Sequence, residues 1–282
     1  MASPLTSVAC RSWRAHGAAA GERVIPEETA VAFTYNGGTY AVMMATPQDL
    51  EDFAYGFTLT EGIVGSPEEI HRLEIVEGEI GIELRMWLAD PPADALNERR
   101  RHMAGPTGCG LCGIESLAEA MRPSRRVRDG LTAMPADILR ALDSLASRQE
   151  LNRQSRAMHA AAFWQKDAGL KDMGLKDMGL IAVREDVGRH NALDKLAGAL
   201  ARDRIPAHTG LVLFTSRVSV EMVQKAAAIG APIIVAISAP TALAVRTAQT
   251  AGITLVAVAR QDGFEVFTHP QRIKEDAVAH VA

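Results

Sequence analysis

Two cysteines one helical turn apart, Cys109 and Cys112, stand in the stretch Thr107-Gly-Cys-Gly-Leu-Cys-Gly113. The glycines supply no bulk to bury sulfur, and they let the backbone come close to another molecule. These residue types point to thiol chemistry on an exposed loop. Residues 114–121 read as a helix starting directly after Cys112, and a helix N-terminus favours the thiolate, the nucleophilic form. Zinc ligation would need two further ligands at suitable spacing, but there is no second cysteine pair, and Cys10 lies in the N-terminal stretch. A zinc deaminase would need His-x-Glu beside the paired cysteines, and none of the eight histidines has Glu two residues on. No clear strand precedes the pair, which disfavours a thioredoxin-like site.

A second constellation is Arg184-Glu-Asp-Val-Gly-Arg-His-Asn-Ala-Leu-Asp-Lys195, placed at a strand end and the first turns of a helix. Ligands bind at such strand ends in α/β folds. Capping by Asp186 or Asn191 accounts for part of it, but not for Arg189, His190 and Asn191 crowded together. Two more strand-to-helix turns, Thr215-Ser216-Arg217 and Ser238-Ala239-Pro240-Thr241, carry small polar residues. Each alone reads as ordinary capping. On adjacent βα units they suit a phosphorylated ligand, whose oxygens take the free backbone N–H groups.

These residues are positioned by two kinds of pattern. Near the N-terminus, Val31, Phe33 and Tyr35 alternate, Asn36-Gly37-Gly38 turns the chain, and Tyr40, Val42 and Met44 alternate back as a hairpin. Thr46 and Pro47 signal the start of a helix with Leu50, Phe53, Ala54 and Phe57 on its apolar face and Gly62 at its end. Ser66-Pro67-Glu68-Glu69 starts a short helix, and Ile80 to Leu88 alternates as a half-buried strand. A polar helix is expected over 95–103, and another helix over 135–149 with Ile138, Leu142 and Leu145 on one side. From Gly179 onward, strands (180–183, 211–215, 233–237, 253–259) alternate with helices (190–201, 220–229, 241–251). That predicts an α/β fold with a largely parallel sheet covered on both faces. The tandem Gly-Leu-Lys-Asp-Met at 169–178 is a local duplication in a surface loop.

The chain has 282 residues, 48% hydrophobic and 23% charged, with a formal charge of -4. It lacks the basic field of a nucleic-acid binder and any apolar run of eighteen or more residues that would span a membrane. Residues 1–23, rich in Ala, Ser and Gly, read as a flexible tail without the apolar core of a secretory signal. Three cysteines form no disulfide framework and suit a reducing compartment, so the cytoplasm is expected.

The motifs together resemble the formate dehydrogenase accessory sulfurtransferase family, FdhD. The matching segments are Gly56 to Ile63, Thr107 to Gly113, Arg184 to Lys195, Ser219 to Ala227, Ser238 to Val245 and Thr268-His-Pro-Gln-Arg272, spanning about residues 25 to 272 in the family's order. The resemblance implies a cytidine-deaminase-like three-layer α/β/α domain over 105–282, lacking the zinc ligands, with a smaller α+β domain over 24–104. It implies a sulfur carrier that takes persulfide sulfur from a cysteine desulfurase and passes it to the molybdenum cofactor, bis-molybdopterin guanine dinucleotide, before insertion into formate dehydrogenase. The sulfur-bearing residue would be Cys109, with Cys112 auxiliary. Val258, Ala259, Arg260, Gln261, Asp262 and Gly263 would bind the cofactor, and a guanine nucleotide would take the same site. Arg217 or Arg260 would pair with its phosphates. Cysteine desulfurase and formate dehydrogenase are the implied partners, and a homodimer is compatible with the chain. Here Ser155-Arg-Ala-Met precedes His159, where the family has a Gly-rich Thr-Gly-Gly stretch. The rival reading is a non-enzymatic chaperone that only delivers cofactor; it needs the nucleotide turns but no reactive thiol.

Overall fold

The computed structural model describes residues 3–89, 123–166 and 179–274. Cys109 and Cys112, the helices expected over 95–103 and 114–121, and the repeat at 169–178 lie outside the described residues.

Residues 5–26 form paired strands where a flexible tail is expected over 1–23. β1 (Leu5–Arg14) and β2 (Gly17–Pro26) form an antiparallel ladder in unbroken register. The low bulk that suggested disorder is equally compatible with extended chain when backbone pairing satisfies the N–H and C=O groups.

Next comes a four-stranded sheet in the order β4-β3-β6-β5, built from β3 (Thr29–Tyr35), β4 (Gly38–Ala45), β5 (Ile70–Gly78) and β6 (Gly81–Leu88). Val31, Phe33 and Tyr35 point into the core as predicted, and so do Ile82, Leu84, Met86 and Leu88. β4 departs from its expected alternation. A bulge opposite Phe33–Thr34 shifts the register, so Val31 pairs with Met43 and Phe33 with Ala41. Tyr40 stays inward, edge-on to Tyr35, whereas Val42 and Met44 turn out to solvent. One extra residue in a period-two element exchanges its faces. Ile80, also expected inward, sits 96% exposed at the β5–β6 turn.

Against this sheet packs α1 (Leu50–Thr60), with Phe53 and Phe57 meeting Phe33 at centroid distances of 4.9 and 4.0 Å. The helix begins at Asp49 in a left-handed conformation, not at Thr46. Thr46 is recruited elsewhere: its hydroxyl accepts the Val187 N–H at 3.2 Å. The 3-10 turn Pro67–Glu69 forms where the Ser-Pro-Glu-Glu signal placed it; the Glu69 carboxylate accepts the N–H groups of Gly65 and Ser66, both at 2.8 Å.

The larger unit holds a six-stranded sheet in the order β12-β11-β10-β9-β7-β8. Its strands are β7 (His159–Trp164), β8 (Leu180–Asp186), β9 (Leu211–Phe214), β10 (Ile233–Ala236), β11 (Thr254–Arg260) and β12 (Gly263–Val266). β9, β10 and β11 are parallel, but β7 runs antiparallel between β8 and β9, and β12 antiparallel to β11. The sheet is therefore mixed. Two strands of this sheet are unforeseen, β12 and β7, the latter because its Ala160-Ala161-Ala162 core has neither bulk nor alternation to mark it in the sequence. One face is covered by α4 (Arg189–Arg202), α5 (Val220–Ala228) and α6 (Ala242–Ala251), and the other by α2 (Pro135–Arg148); α3 (Glu150–Ser155) leads into β7. Ile138, Leu142 and Leu145 of α2 face the sheet, as their spacing predicts. No helix among the described residues is long and apolar enough to cross a membrane.

Candidate functional site

Most of the polar residues of the Arg184–Lys195 stretch join the two units. Lys195 is fully buried; its Nζ donates to Asp186 Oδ2 at 2.6 Å and to the Thr46 carbonyl at 2.9 Å. Asp186 Oδ2 also accepts the Thr46 N–H, and Oδ1 accepts from the Gly188 N–H and the Asn191 amide. The same amide donates to the Met44 carbonyl. A charge pair removed from water survives only when its hydrogen-bonding needs are met, and here the Asp186 carboxylate accepts four donors while Lys195 has two acceptors. Arg184 donates to Asp52, which also receives Arg202.

A second network binds α1, α4 and α5. Lys225 donates to Asp194, Glu61 and Thr60, and Thr60 in turn donates to Asp194 at 2.6 Å. Burial pushes the Asp194 carboxyl up to about 6 against the pull of Lys225. The Gly56 to Ile63 and Ser219 to Ala227 motifs thus meet through buried charges, and Arg184, Asp186, Asn191, Asp194 and Lys195 hold the framework. Thr268 and Arg272 likewise clasp the start of β11. The Thr268 hydroxyl donates to the Ile253 carbonyl and accepts the Leu255 N–H, while Arg272 donates to the Gly252 carbonyl and to Asp129.

What remains gathers at one edge. β8, β9, β10 and β11 share a direction, and the loops beyond their C-terminal ends are stitched into a continuous rim. Val218 donates to the Ala239 carbonyl and accepts from the Thr241 N–H, and the Val258 N–H donates to the Ser238 carbonyl. Thr215 accepts the Ala160 N–H at the start of β7, bringing in His159. The Thr241 hydroxyl caps α6, so that turn is partly the ordinary cap its residues suggested. Arg217 is exposed at this rim, and its carbonyl accepts from the Ser216 hydroxyl.

At the N-terminus of α4, Arg189 Nε and His190 Nε2 are buried without hydrogen-bond partners among the described residues, which marks them off from the satisfied networks below. A buried polar group left unpaired costs roughly 1–3 kcal/mol, so an orphan pair in one place needs a reason. Burial, with Arg189 and Lys225 nearby, pushes the His190 imidazole down to about 4, and it is neutral near pH 7. Glu221 at the start of α5 stands 4.0 Å from it. Burial and Arg189 also hold His159 below its ordinary value.

The segment 258–263 completes the rim. Val258 adopts φ 52°, a left-handed conformation that a β-branched residue rarely takes, at a bulge between Ala257 and Arg260. Its side chain is 36% exposed, whereas Ala259 is buried. Arg260 donates to the carbonyls of Ile237 and Ala259, so part of its guanidinium braces the rim. Gln261 reaches Asp143 of α2 at 3.3 Å, Asp262 is exposed, and Gly263 turns the chain into β12 at φ 158°. The structure brings 258–263, Arg217, Arg189, His190 and His159 to one edge, and assigns Asn191 to the framework. Glu221 was not foreseen; inside an ordinary first helical turn nothing distinguishes it in sequence.

Residues 26–274 match the family model described as FdhD/NarQ family. Among curated relatives, the sulfur carrier protein FdhD of Agrobacterium fabrum is 54% identical over 256 residues, covering 90% of this chain and 91% of the relative. That of Brucella abortus is 52% identical, covering 93% and 94%. Among solved structures, a formate dehydrogenase accessory protein from Desulfotalea psychrophila superposes with a TM-score of 0.72 at 26% identity, over 96% of this chain and all of the other.

Proposed function

Because the chain belongs to the FdhD/NarQ family, we propose that it is a sulfur carrier for the maturation of formate dehydrogenase. Cys109 accepts sulfur from the persulfide of a cysteine desulfurase and hands it to the molybdenum cofactor bound at the rim. In the first step the Cys109 thiolate attacks the outer sulfur of the donor persulfide, the S–S bond breaks, and the donor cysteine leaves as thiolate. Cys112 assists without carrying the sulfur.

The observation that carries this reading is the rim itself. Arg189 Nε and His190 Nε2 have no hydrogen-bond partner among the described residues, while the polar groups beneath them are satisfied. A guanylated bis-pterin offers phosphates and guanine edges in abundance, and the arrangement suits it: a guanidinium beside helix N-termini for phosphate, and a neutral imidazole for a group that donates or accepts one hydrogen bond. Val258 to Gly263 would form the opposite wall. The chain's acidic total does not oppose this, because the local groups decide.

Mass spectrometry after incubation with a desulfurase and cysteine tests the proposal. The native chain gains about 32 Da, one sulfur atom, on a peptide containing Cys109. Cys109→Ala removes the adduct and abolishes sulfur transfer while the fold is kept, and Cys112→Ala does less damage. Full activation of formate dehydrogenase by the Cys109→Ala variant would instead support the delivery-chaperone reading.

A further inference from the structure

The two described residues that flank the thiol-bearing stretch, Ala89 and Pro123, stand at one cleft. Ala89 donates its N–H to the Glu69 carbonyl at 2.9 Å, and Glu69 and Pro123 both line a cleft of about 660 Å³. Ile63, Val64, Leu200, Ile205 and Ile229 make its walls largely apolar. Because α4 and α5 start at the rim and run away from it, the cleft at their C-terminal ends lies at the opposite edge of the six-stranded sheet.

Beyond Pro123 the chain forms a basic strip pinned to that edge. Val127 is buried, and its N–H donates to the carbonyl of Ala251, the last residue of α6. Arg125, Arg126 and Arg128 are exposed around it, and their side chains make no ion pair or hydrogen bond among the described residues. Arg125 also lines the cleft. The one acid beside them, Asp129, is taken by Arg272. A helix C-terminus favours a nearby cation, but three free guanidiniums within residues 125–128 exceed that need on a chain of formal charge -4. Arginine around an apolar patch is the composition of a protein interface, and guanidiniums pair with carboxylates in bidentate fashion.

Chain length joins this face to the thiol. Cys109 is 14 residues from Pro123, at most about 50 Å when fully extended. The seven residues of β11, which run from one edge to the other, cover about 23 Å. One thiol can therefore meet a protein docked at this edge and a ligand held at the rim.

We propose that the cleft and its arginines are the docking face for the protein that supplies the persulfide, which presents carboxylates to Arg125, Arg126 and Arg128 and apolar side chains to the cleft. The inference rests on the sulfur-carrier reading and adds that loading and delivery use opposite edges of the sheet.

Single-turnover loading of Cys109 in the full chain tests it, read as the gain of about 32 Da by mass spectrometry. Two donors are compared: a cysteine desulfurase with cysteine, and free cysteine persulfide. With the desulfurase, the native chain loads more slowly as salt is raised from about 50 to 300 mM. Arg125→Glu with Arg126→Glu and Arg128→Glu slows that loading at least about tenfold at low salt and removes most of its salt dependence. Ala228→Glu, at the cleft wall, also slows it. Free cysteine persulfide loads native and variant chains at equal rates, because it needs no docking face. Variants that the desulfurase loads at the native rate overturn the proposal. So does equal slowing with both donors, which puts the defect at the thiol itself. Intact loading with loss of self-association or of guanine-nucleotide binding assigns the strip to those occupants and also overturns it. A native chain that takes sulfur from neither donor overturns the carrier reading as well.

Discussion

At the scale of the residue, His190 shows how position sets chemistry. Its imidazole lies at a helix start where water is largely excluded and where Arg189 and Lys225 oppose a further positive charge, so its folded pKa is about 4. An unfolded histidine titrates near 6.5. Between these values the unfolded chain binds more protons than the folded one, so this group's contribution to stability is lost as pH falls through that window. His190→Gln therefore narrows the loss of stability on going from pH 7 to pH 5.5 by about 1 kcal/mol, read from urea unfolding of both proteins at the two pH values. An equal acid-side slope in the two proteins would mean the imidazole is already charged. The same neutral ring leaves Nε2 to a ligand, which ties its titration to the proposed site.

At the scale of the element, the approach of α1 to α4 depends on two glycines placed opposite backbone. A methyl group at Gly56 would lie 1.6 Å from the Asp194 carbonyl oxygen, and one at Gly198 would lie 1.8 Å from that of Asp52. Neither neighbour is the flexible end of a side chain, so the helices would have to separate. Such a shift would loosen the Lys225–Asp194–Thr60 contacts that depend on the close crossing. Gly56→Ala costs about 3 kcal/mol, measured as a lowered denaturation midpoint. Gly62→Ala, where no atom lies within 4 Å and only the positive φ is strained, costs about 1 kcal/mol. The glycine of the family motif therefore serves the joint, not a ligand.

At the scale of the whole molecule, the two units are locked together through buried charges. Asp186 and Lys195 belong to the larger unit but are satisfied by Thr46 and, through Asn191, by Met44 of the smaller one. Withdrawing one charge leaves the other buried and unpaired. Lys195→Met destabilises by about 3–5 kcal/mol, and the single unfolding transition expected of the native chain separates into two when followed by urea titration with probes in each unit. Retention of one transition at nearly native stability would show that the pair does not couple the units.

Reading the residues alone gave the helix over 135–149 and the alternation of strand and helix after Gly179. These are local properties, set by spacing and by caps, and tertiary packing does not alter them. It also drew attention to Arg184–Lys195 as a charged cluster, but a sequence does not show whether a buried charge is facing a partner or a cavity. Only the assembled chain divides that motif, with Asp186, Asn191 and Lys195 spent on the joint and Arg189 and His190 left open. The bulge at Tyr40, the insertion of β7 between β8 and β9, and the pairing of residues 5–26 into an arm were likewise decided by long-range partners. An alanine-rich strand and a glycine-rich ribbon carry little hydrophobic signal of their own, and backbone hydrogen bonds to distant segments determine where such stretches lie.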